Sequence, residues 1–414
     1  INDYEKGGCR MFKVTFSFED GSVVETFANA GDNLLEVARS ANVAIDAPCS
    51  GNGACGKCRV QLKSGELESK KTLHISDEEY QAGWRLSCCS KISADVNVLV
   101  PDIASAYKSR MKVADLSSKE EIAIFENAKS DIQLAGIELK NSLEVVDVLM
   151  DVPSLDDTMP DNERLTRALR KYLNINRVRI PYVVLKKLPD VLRENNFAVK
   201  CVIRATSDDM YVYDIFGKDE DVIIGGLAID IGTTTVSAVL INMENGEILA
   251  KSSAGNGQIR FGADVINRIV ESQKPGGQKK LQDAVIKETI NPMIHEMCKS
   301  AKFPKDHIYR MCVASNTTMN HLFAGINADP LRTEPYIPAF FKTNSLFASD
   351  VGVDINKDAH IIMAPNIGSY VGGDITAGTL VSQIWNRPEF SLFIDLGTNG
   401  ELVFGNSDFM MSCA

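Results

Sequence analysis

A chain of 414 residues is longer than one ordinary hydrophobic core supports, so two or three domains are expected. Its 44% apolar and 24% charged residues are those of a soluble globular protein, and no apolar run approaches the roughly 18 residues of a membrane span. The formal net charge of −11, with Lys and Arg scattered, excludes a nucleic-acid partner, because a phosphate backbone demands a basic face.

No charged-then-apolar leader opens the sequence, which starts at Ile1 rather than Met and stops at Ser412-Cys413-Ala414, so either end is expected to be cut. Of the ten cysteines, five lie between Cys49 and Cys89, while Cys9, Cys201, Cys298, Cys312 and Cys413 are isolated. That is not a disulfide framework, and it fits a reducing cytoplasm.

Residues 12–27 alternate on both sides of Asp20-Gly21, which predicts a β-hairpin with a type I′ turn. Asn33–Asn42 has helical spacing, with Leu34, Leu35, Val37, Ala38 and Ala41 on one face. Next comes C-S-G-N-G-A-C-G-K-C, which places Cys49, Cys55 and Cys58 within ten residues around three glycines. Thiolates select soft or borderline metals, and glycines let a loop turn its N–H groups toward an inorganic cluster. A strand at Arg59–Leu62, a Ser64-Gly65 turn and a strand at Asp95–Val100 complete the unit. The competing use of the cysteines, a structural zinc site, favours two tight ligand pairs. Here the second half is the doublet Cys88-Cys89, which cannot form a two-residue knuckle.

The C-x5-C-x2-C spacing with a distant fourth cysteine resembles the adrenodoxin-type [2Fe–2S] ferredoxins. The resemblance implies a β-grasp ferredoxin domain over residues 1–101. It also implies Cys88 as the fourth ligand, because in that family the ligand follows an Arg-Leu-small run, here Arg85-Leu86-Ser87. Cys89, directly beside it, leaves the choice open to experiment.

Residues 102–125 are polar and read as a linker running into a short helix from the capping-box pattern Ser117-Ser118-Lys119-Glu120. Residues 126–222 read as a small α/β domain. It has strands at Leu143–Met150, Phe197–Ala205 and Met210–Phe216, one helix capped by Asp161 and a second over Pro181–Glu194. With no polar constellation that reads as a site, its expected use is docking, spacing or a homodimer contact.

Residues 223–414 change character. The strand Leu227–Ile231 ends in Gly232-Thr233-Thr234, and A-I-D-I-G-T at 228–233 recurs as F-I-D-L-G-T at 393–398. Each copy is expected at the end of a buried apolar strand. There an Asp can serve Mg²⁺ or water, and a Gly-Thr turn offers N–H and hydroxyl donors to phosphate. Two further stretches, Asn316-Thr317-Thr318 and Gly372-Gly373-Asp374, each precede a helix and suit either an anion, a hinge or simple capping. His321 reads as a packed or surface histidine rather than a metal ligand, and Gly255–Asp264, with Asn256, Arg260 and Asp264, as a polar loop that closes over nucleotide.

The doubled turn resembles the actin, sugar-kinase and heat-shock-chaperone superfamily. It implies an actin-like ATPase domain that binds ATP and Mg²⁺ between two phosphate loops. The first would be Asp230, Gly232, Thr233 and Thr234, and the second Asp395, Gly397, Thr398 and Asn399. Asp230 or Asp395 would hold Mg²⁺ through water or orient the attacking water.

Taken together, the ferredoxin motif, linker, middle segment, I-D-I-G-T-T-T, S-N-T-T-M-N-H, V-G-G-D-I and D-L-G-T-N-G-E resemble the ATP-dependent reductive activators of corrinoid proteins. That family implies reduction of Co(II) to Co(I), with a corrinoid protein as acceptor and reduced ferredoxin or a similar low-potential donor. Its members continue past the second phosphate loop, where the adenosine-binding part is expected. Plant-type [2Fe–2S] potentials near about −400 mV suffice for most reductions, so ATP has a use only with a harder acceptor. Two other uses fit parts of the chain. One is activation of a 2-hydroxyacyl-CoA dehydratase or benzoyl-CoA reductase type enzyme, which resembles the second half alone and lacks its cluster cysteines here. The other is a ferredoxin fused to a nucleotide-sensing docking module.

Overall fold

Val14 and Phe16, fully buried, alternate with outward Lys13 and Thr15 along the first strand, and this period of two organises the N-terminal sheet. The structure, a computed structural model, describes the chain apart from residues 1–10, 19, 20, 22, 42, 44, 46, 48–52, 54, 55, 102–118, 174, 344, 345, 398 and 399. Strand β1 (Met11–Phe18) pairs antiparallel with β2 (Val23–Asn29), as the hairpin pattern predicts. Helix α1 (Leu34–Ser40), capped by Asn33, lays Leu34 and Leu35 across the sheet. The sheet continues with β3 (Arg59–Ser69), then a short helix α2 (Asp77–Gln81), β4 (Trp84–Leu86) and β5 (Ser90–Val100), in the order β2-β1-β5-β3-β4. Strands β1 and β5 are parallel, which is the β-grasp arrangement. Full burial of each Val, Leu, Ile or Phe in this core contributes about 1.5–3 kcal/mol.

One sequence expectation fails here. Ser64-Gly65 is not a turn; β3 runs through it and shifts register against β5 on both sides. Gly65 sits at φ +90°, and a Cβ there would lie 2.0 Å from the Asp95 carbonyl, so the irregularity needs glycine.

The linker expected over 102–125 lies outside the described residues as far as 118, and the helix that follows, α3 (Lys119–Leu134), is longer than the short one expected. The middle unit has β6 (Leu143–Leu149), α4 (Asp161–Leu173), β7 (Arg177–Arg179), α5 (Tyr182–Glu194), β8 (Ala198–Ala205) and β9 (Asp209–Gly217), with sheet order β6-β8-β9-β7. Helices α4 and α5 cover one face through Leu165, Leu169, Val184, Leu188 and Leu192. Asp161 is the first helical residue rather than the cap, and it pairs with Arg193 at 2.8 Å. Polar contacts in this unit tie its own elements together. Fully buried Arg164 bonds Asp157 at 2.7 Å and the Asp151 carbonyl at 3.0 Å, and Lys187 pairs with Asp214.

The third unit opens with β10 (Gly225–Ile231), β11 (Thr235–Asn242) and β12 (Ile248–Gly255), an antiparallel meander. Helices α6 (Val265–Ser272), α7 (Gly277–Val285) and α8 (Asn291–Ala301) follow, then β13 (Ile308–Ser315), α9 (Thr317–Ala324), α10 (Ala348–Val351) and β14 (His360–Met363). The sheet order is β12-β11-β10-β13-β14, with β10, β13 and β14 parallel. Helix α11 (Gly373–Ser382) leads to a second sheet of β15 (Ser391–Leu396), β16 (Gly400–Gly405) and β17 (Met410–Cys413). The two copies of the repeated run thus begin two different sheets. The second copy departs from the expected burial: Leu392, Ile394 and Leu396 of β15 are 55%, 47% and 87% exposed, whereas Leu227, Ile229 and Ile231 of β10 are buried. Among the described residues no helix is long and apolar enough to cross a membrane.

Candidate functional site

Two of the four expected thiols fall among the described residues; Cys49 and Cys55 lie outside them. Cys58 is buried at the start of β3, and its carbonyl accepts the Ser87 N–H at 2.8 Å. That bond brings the short 3₁₀ turn Ser87–Cys89 alongside, so the Cys58 and Cys88 sulfurs stand 3.2 Å apart. A disulfide would need about 2.05 Å, so these are two free thiols aimed at one point. Sharing a proton with Cys88 holds the Cys58 thiol down at about 6 and pushes Cys88 up. Two free thiols 3.2 Å apart fit an iron–sulfur cluster, which Cys58 and Cys88 could hold side by side.

Asn33 fixes this corner. Its Oδ1 caps α1 by accepting the Leu35 N–H, and its Nδ2 donates to the Cys88 carbonyl at 2.8 Å. The Cys89 sulfur is 3.6 Å from that of Cys88 and rests against Gly53, within 3.2 Å of where a Cβ would stand. Both thiols of the doublet thus lie near the cysteine loop, a closeness that spacing alone does not reveal. Among the described residues no group of three or more His, Cys, Asp or Glu side chains is placed to hold a metal ion.

Gly232-Thr233-Thr234, expected as the first phosphate loop, forms a tight turn at the end of β10. The Gly232 N–H closes it on the Thr235 carbonyl at 2.9 Å. Its carbonyls are all held from behind: Gly232 by Asn256 Nδ2 at 2.8 Å, Thr234 by the Asn256 N–H at 2.8 Å, and Thr233 by Arg268 Nη2. Arg268 is fully buried, and burial lowers its guanidinium to about 9. It also donates to the Gly262 carbonyl at 2.9 Å and to Gln258 Oε1 at 3.2 Å. The stretch 255–264 is accordingly no loose lid. Asn256 and Gln258 are buried, Gly257–Phe261 forms a 3₁₀ turn, and Asp264 caps α6. Sequence reading missed Arg268; a charged residue directly before core Ile269 was the available signal.

Asp230 is the next-to-last residue of β10, and its side chain is exposed on one side. Burial first, then the charges of Asp374 and Asp395, push its carboxyl up to about 6. Burial, and then Asp395, also raise Asp374, although its Oδ1 accepts the Ile375 N–H at 2.9 Å. The structure thus brings Asp230 and Asp395 into one electrostatic field and adds Asp374, which the sequence offered only as part of a helix start. Gly397 follows Asp395 after Leu396, while Thr398 and Asn399 lie outside the described residues.

The S-N-T-T-M-N-H run is a lock between loops. Asn316 caps α9, Asn320 joins Asn366 at 2.8 Å, and Thr317 Oγ1 donates to the Gly368 carbonyl. Gly372 lies so close that a Cβ would fall 2.3 Å from the Asn316 Cα. His321 is fully buried, bonded through Nδ1 to the Thr317 carbonyl at 2.7 Å and through Nε2 to the Ala339 N–H at 3.0 Å. Of the packed and surface alternatives the sequence left open, the structure shows the packed one, and burial lowers its imidazole.

Comparison with known proteins agrees with this layout. Residues 17–93 match the 2Fe-2S iron-sulfur cluster binding domain, 132–222 the RACo linker region and 225–387 the RACo middle region. The corrinoid activation enzyme RamQ of Eubacterium limosum is 28% identical over 377 residues, covering 91% of this chain and 56% of that protein. A solved structure titled reductive activator for corrinoid, iron-sulfur protein is 33% identical, with a TM-score of 0.59, covering 97% of this chain and 62% of that one. A component of the Na(+)-translocating NADH-quinone reductase of Actinobacillus succinogenes is 35% identical over 91 residues, 22% of either chain. The chain spans about three fifths of the corrinoid-activating relatives it matches. With a 2Fe-2S domain match, a RACo linker match and a RACo middle-region match in that order, the chain is similar over nearly its whole length to the reductive activator for corrinoid, iron-sulfur protein.

Proposed function

We propose that this chain drives the ATP-dependent, one-electron reduction of a corrinoid protein from Co(II) to Co(I). The observation that carries the reading is the presence, on one chain, of a paired thiol corner and a phosphate turn whose three carbonyls are clamped from behind. Cys49, Cys55, Cys58 and Cys88 would hold a [2Fe–2S] cluster, and such a cluster when bound supplies a one-electron store. The protein's own part is to position that store and to bind nucleotide.

Clamping the carbonyls of Gly232, Thr233 and Thr234 orients their peptide units, so that N–H groups are presented to phosphate without reorganisation. Thr398 and Asn399 would complete the clasp from the second loop. Three carboxylates in one field repel a triphosphate, so the nucleotide enters with Mg²⁺. Asp230 and Asp395 anchor that ion through water or orient the attacking water. Differential binding of two states of the acceptor complex is what lets nucleotide shift an unfavourable reduction. Reduced ferredoxin or a similar low-potential carrier is the donor, and the reducing cytoplasm the setting.

The test is anaerobic mixing of the full-length protein, pre-reduced, with a Co(II) corrinoid protein, with and without Mg-ATP. The Co(I) spectrum should appear only with nucleotide. Asp230→Ala should slow it at least 100-fold while cluster absorbance is unchanged. Reduction at full rate by that variant would remove the ATP-driven reading.

A further inference from the structure

Helix α1 touches both parts of the molecule that the proposed function requires to communicate. Its cap, Asn33, holds the Cys88 carbonyl. Its last turn carries Arg39, whose Nε donates to the Arg260 carbonyl at 2.9 Å, across a sequence separation of 221 residues. Arg39 is only 5% exposed, although it sits at the end of a short helix on a small domain. The third unit is therefore packed over it.

The carbonyl it meets belongs to the 3₁₀ turn Gly257–Phe261, which is wired to the first phosphate turn on both flanks. Asn256 holds Gly232 and Thr234 on one side; Arg268 holds Thr233 together with Gln258 and Gly262 on the other. The joint itself is poised rather than strong. Arg39 Nη1 is paired with Glu36 at 2.7 Å and Arg260 Nη2 with Glu288 at 2.6 Å. Arg39 Nη2 and Arg260 Nε, however, are buried without a hydrogen-bond partner. One good hydrogen bond is set against two orphaned donors, so a modest change at the carbonyl decides whether the contact holds.

We propose that nucleotide phosphate at the first turn tightens docking of the cluster-bearing unit through Arg39 on the 257–261 turn, and that docking in return raises nucleotide affinity. This rests on the ATP-binding reading above. A phosphate oxygen that accepts the Thr234 N–H polarises the Thr233 carbonyl of the same peptide, which makes it a better acceptor for Arg268. Arg268 then holds Gln258 and Gly262 more firmly, and with them the Arg260 carbonyl between. Reciprocity follows from linkage.

The experiment uses the full-length, cluster-loaded protein under anaerobic conditions with a non-hydrolysable Mg-ATP analogue. Hydrogen exchange should slow on adding analogue both at 257–262 and in Leu34–Ser40. In Arg39→Ala, and in Arg39→Lys, which keeps the charge but loses the Nε donor, protection should persist at 257–262 and vanish in Leu34–Ser40. Both variants should bind the analogue about 3- to 10-fold more weakly, with unchanged cluster absorbance as proof that their N-terminal domain is folded. Wild-type affinity in Arg39→Ala, or analogue-bound wild type with no added protection in Leu34–Ser40, overturns the proposal. A wild type that binds no analogue removes the ATP reading itself, and this inference with it.

Discussion

At the scale of single residues, the most consequential neighbours are Cys88 and Cys89. Adjacent residues in a 3₁₀ turn ordinarily point apart, yet these sulfurs lie 3.6 Å from each other. Cys88 has the better claim as ligand, because it shares a proton with Cys58 at 3.2 Å and its carbonyl is pinned by Asn33. Cys89 has no such partner thiol among the described residues other than Cys88 itself. Cys89→Ser should therefore retain about two irons per chain and its visible band, whereas Cys88→Ser should fall well below one. Iron content and absorbance after anaerobic purification decide it. Equal iron in the two variants would mean that either sulfur can take the fourth position.

At the scale of elements, His360 on β14 shows how packing sets a proton equilibrium. Its ring lies between Phe347, 4.4 Å away, and Tyr213, 6.4 Å away, near Arg204 of β8 and Arg310 of β13. Burial, then those two guanidinium groups, hold its imidazole down at about 4. An unfolded histidine titrates near 6.5, so between pH 6.5 and 4 the unfolded chain binds the extra proton. Stability from this residue is complete above about pH 6.5 and is lost as pH falls toward 4. After discounting for partial exposure the effect is about 1–2 kcal/mol. His360→Gln should flatten the pH dependence of Tm by that much across this window, measured by thermal denaturation. Much of the element layout was legible in the sequence. Strand β10 announces itself as a continuous apolar run ending in Asp-x-Gly-Thr, and α1 by its spacing and Asn cap. Ser64-Gly65 misled because its composition is that of a turn, while β5 pairs on both sides and absorbs the irregularity. Strand β7, Arg177–Arg179, carried no alternating apolar signal; pairing with β9 alone makes it a strand. The site was legible in its motif residues and not in its supports. Asn256, Arg268 and Asp374 reach Gly232, Thr233 and Asp230 only through tertiary structure, which no spacing encodes.

At the scale of the whole molecule, the three units are joined very unequally, and this asymmetry has a thermodynamic signature. The outer face of the middle sheet merges with the third unit in a shared core of Leu143, Val202, Tyr213, Phe216, Ile224 and Tyr309. Tyr309 and Tyr213 meet edge to face at 5.9 Å, and the Tyr309 hydroxyl donates to Asp214 at 3.3 Å. Arg310 adds a bond to Ser142 at 2.8 Å. The N-terminal unit, by contrast, reaches the third through the poised Arg39–Arg260 contact, and its own core of Val14, Phe16, Leu34, Val60, Ile92 and Val98 closes on itself. Units sharing a core unfold together, whereas units meeting at a marginal polar contact unfold apart. Denaturant should therefore produce two transitions in the apo-protein: one for residues 11–101, followed by labels confined to that unit, and one shared by the middle and third units. Truncating a large buried aromatic at a shared core costs about 3–5 kcal/mol. Tyr309→Ala should thus move only the shared transition, by about that much, and leave the N-terminal transition in place. If Tyr309→Ala splits the shared transition, its midpoint loss falling on the middle unit alone, the two units hold separate cores and the aromatic contact between them is only a seam. If it lowers both unfolding steps equally, the Arg39 joint is stronger than its orphaned donors allow.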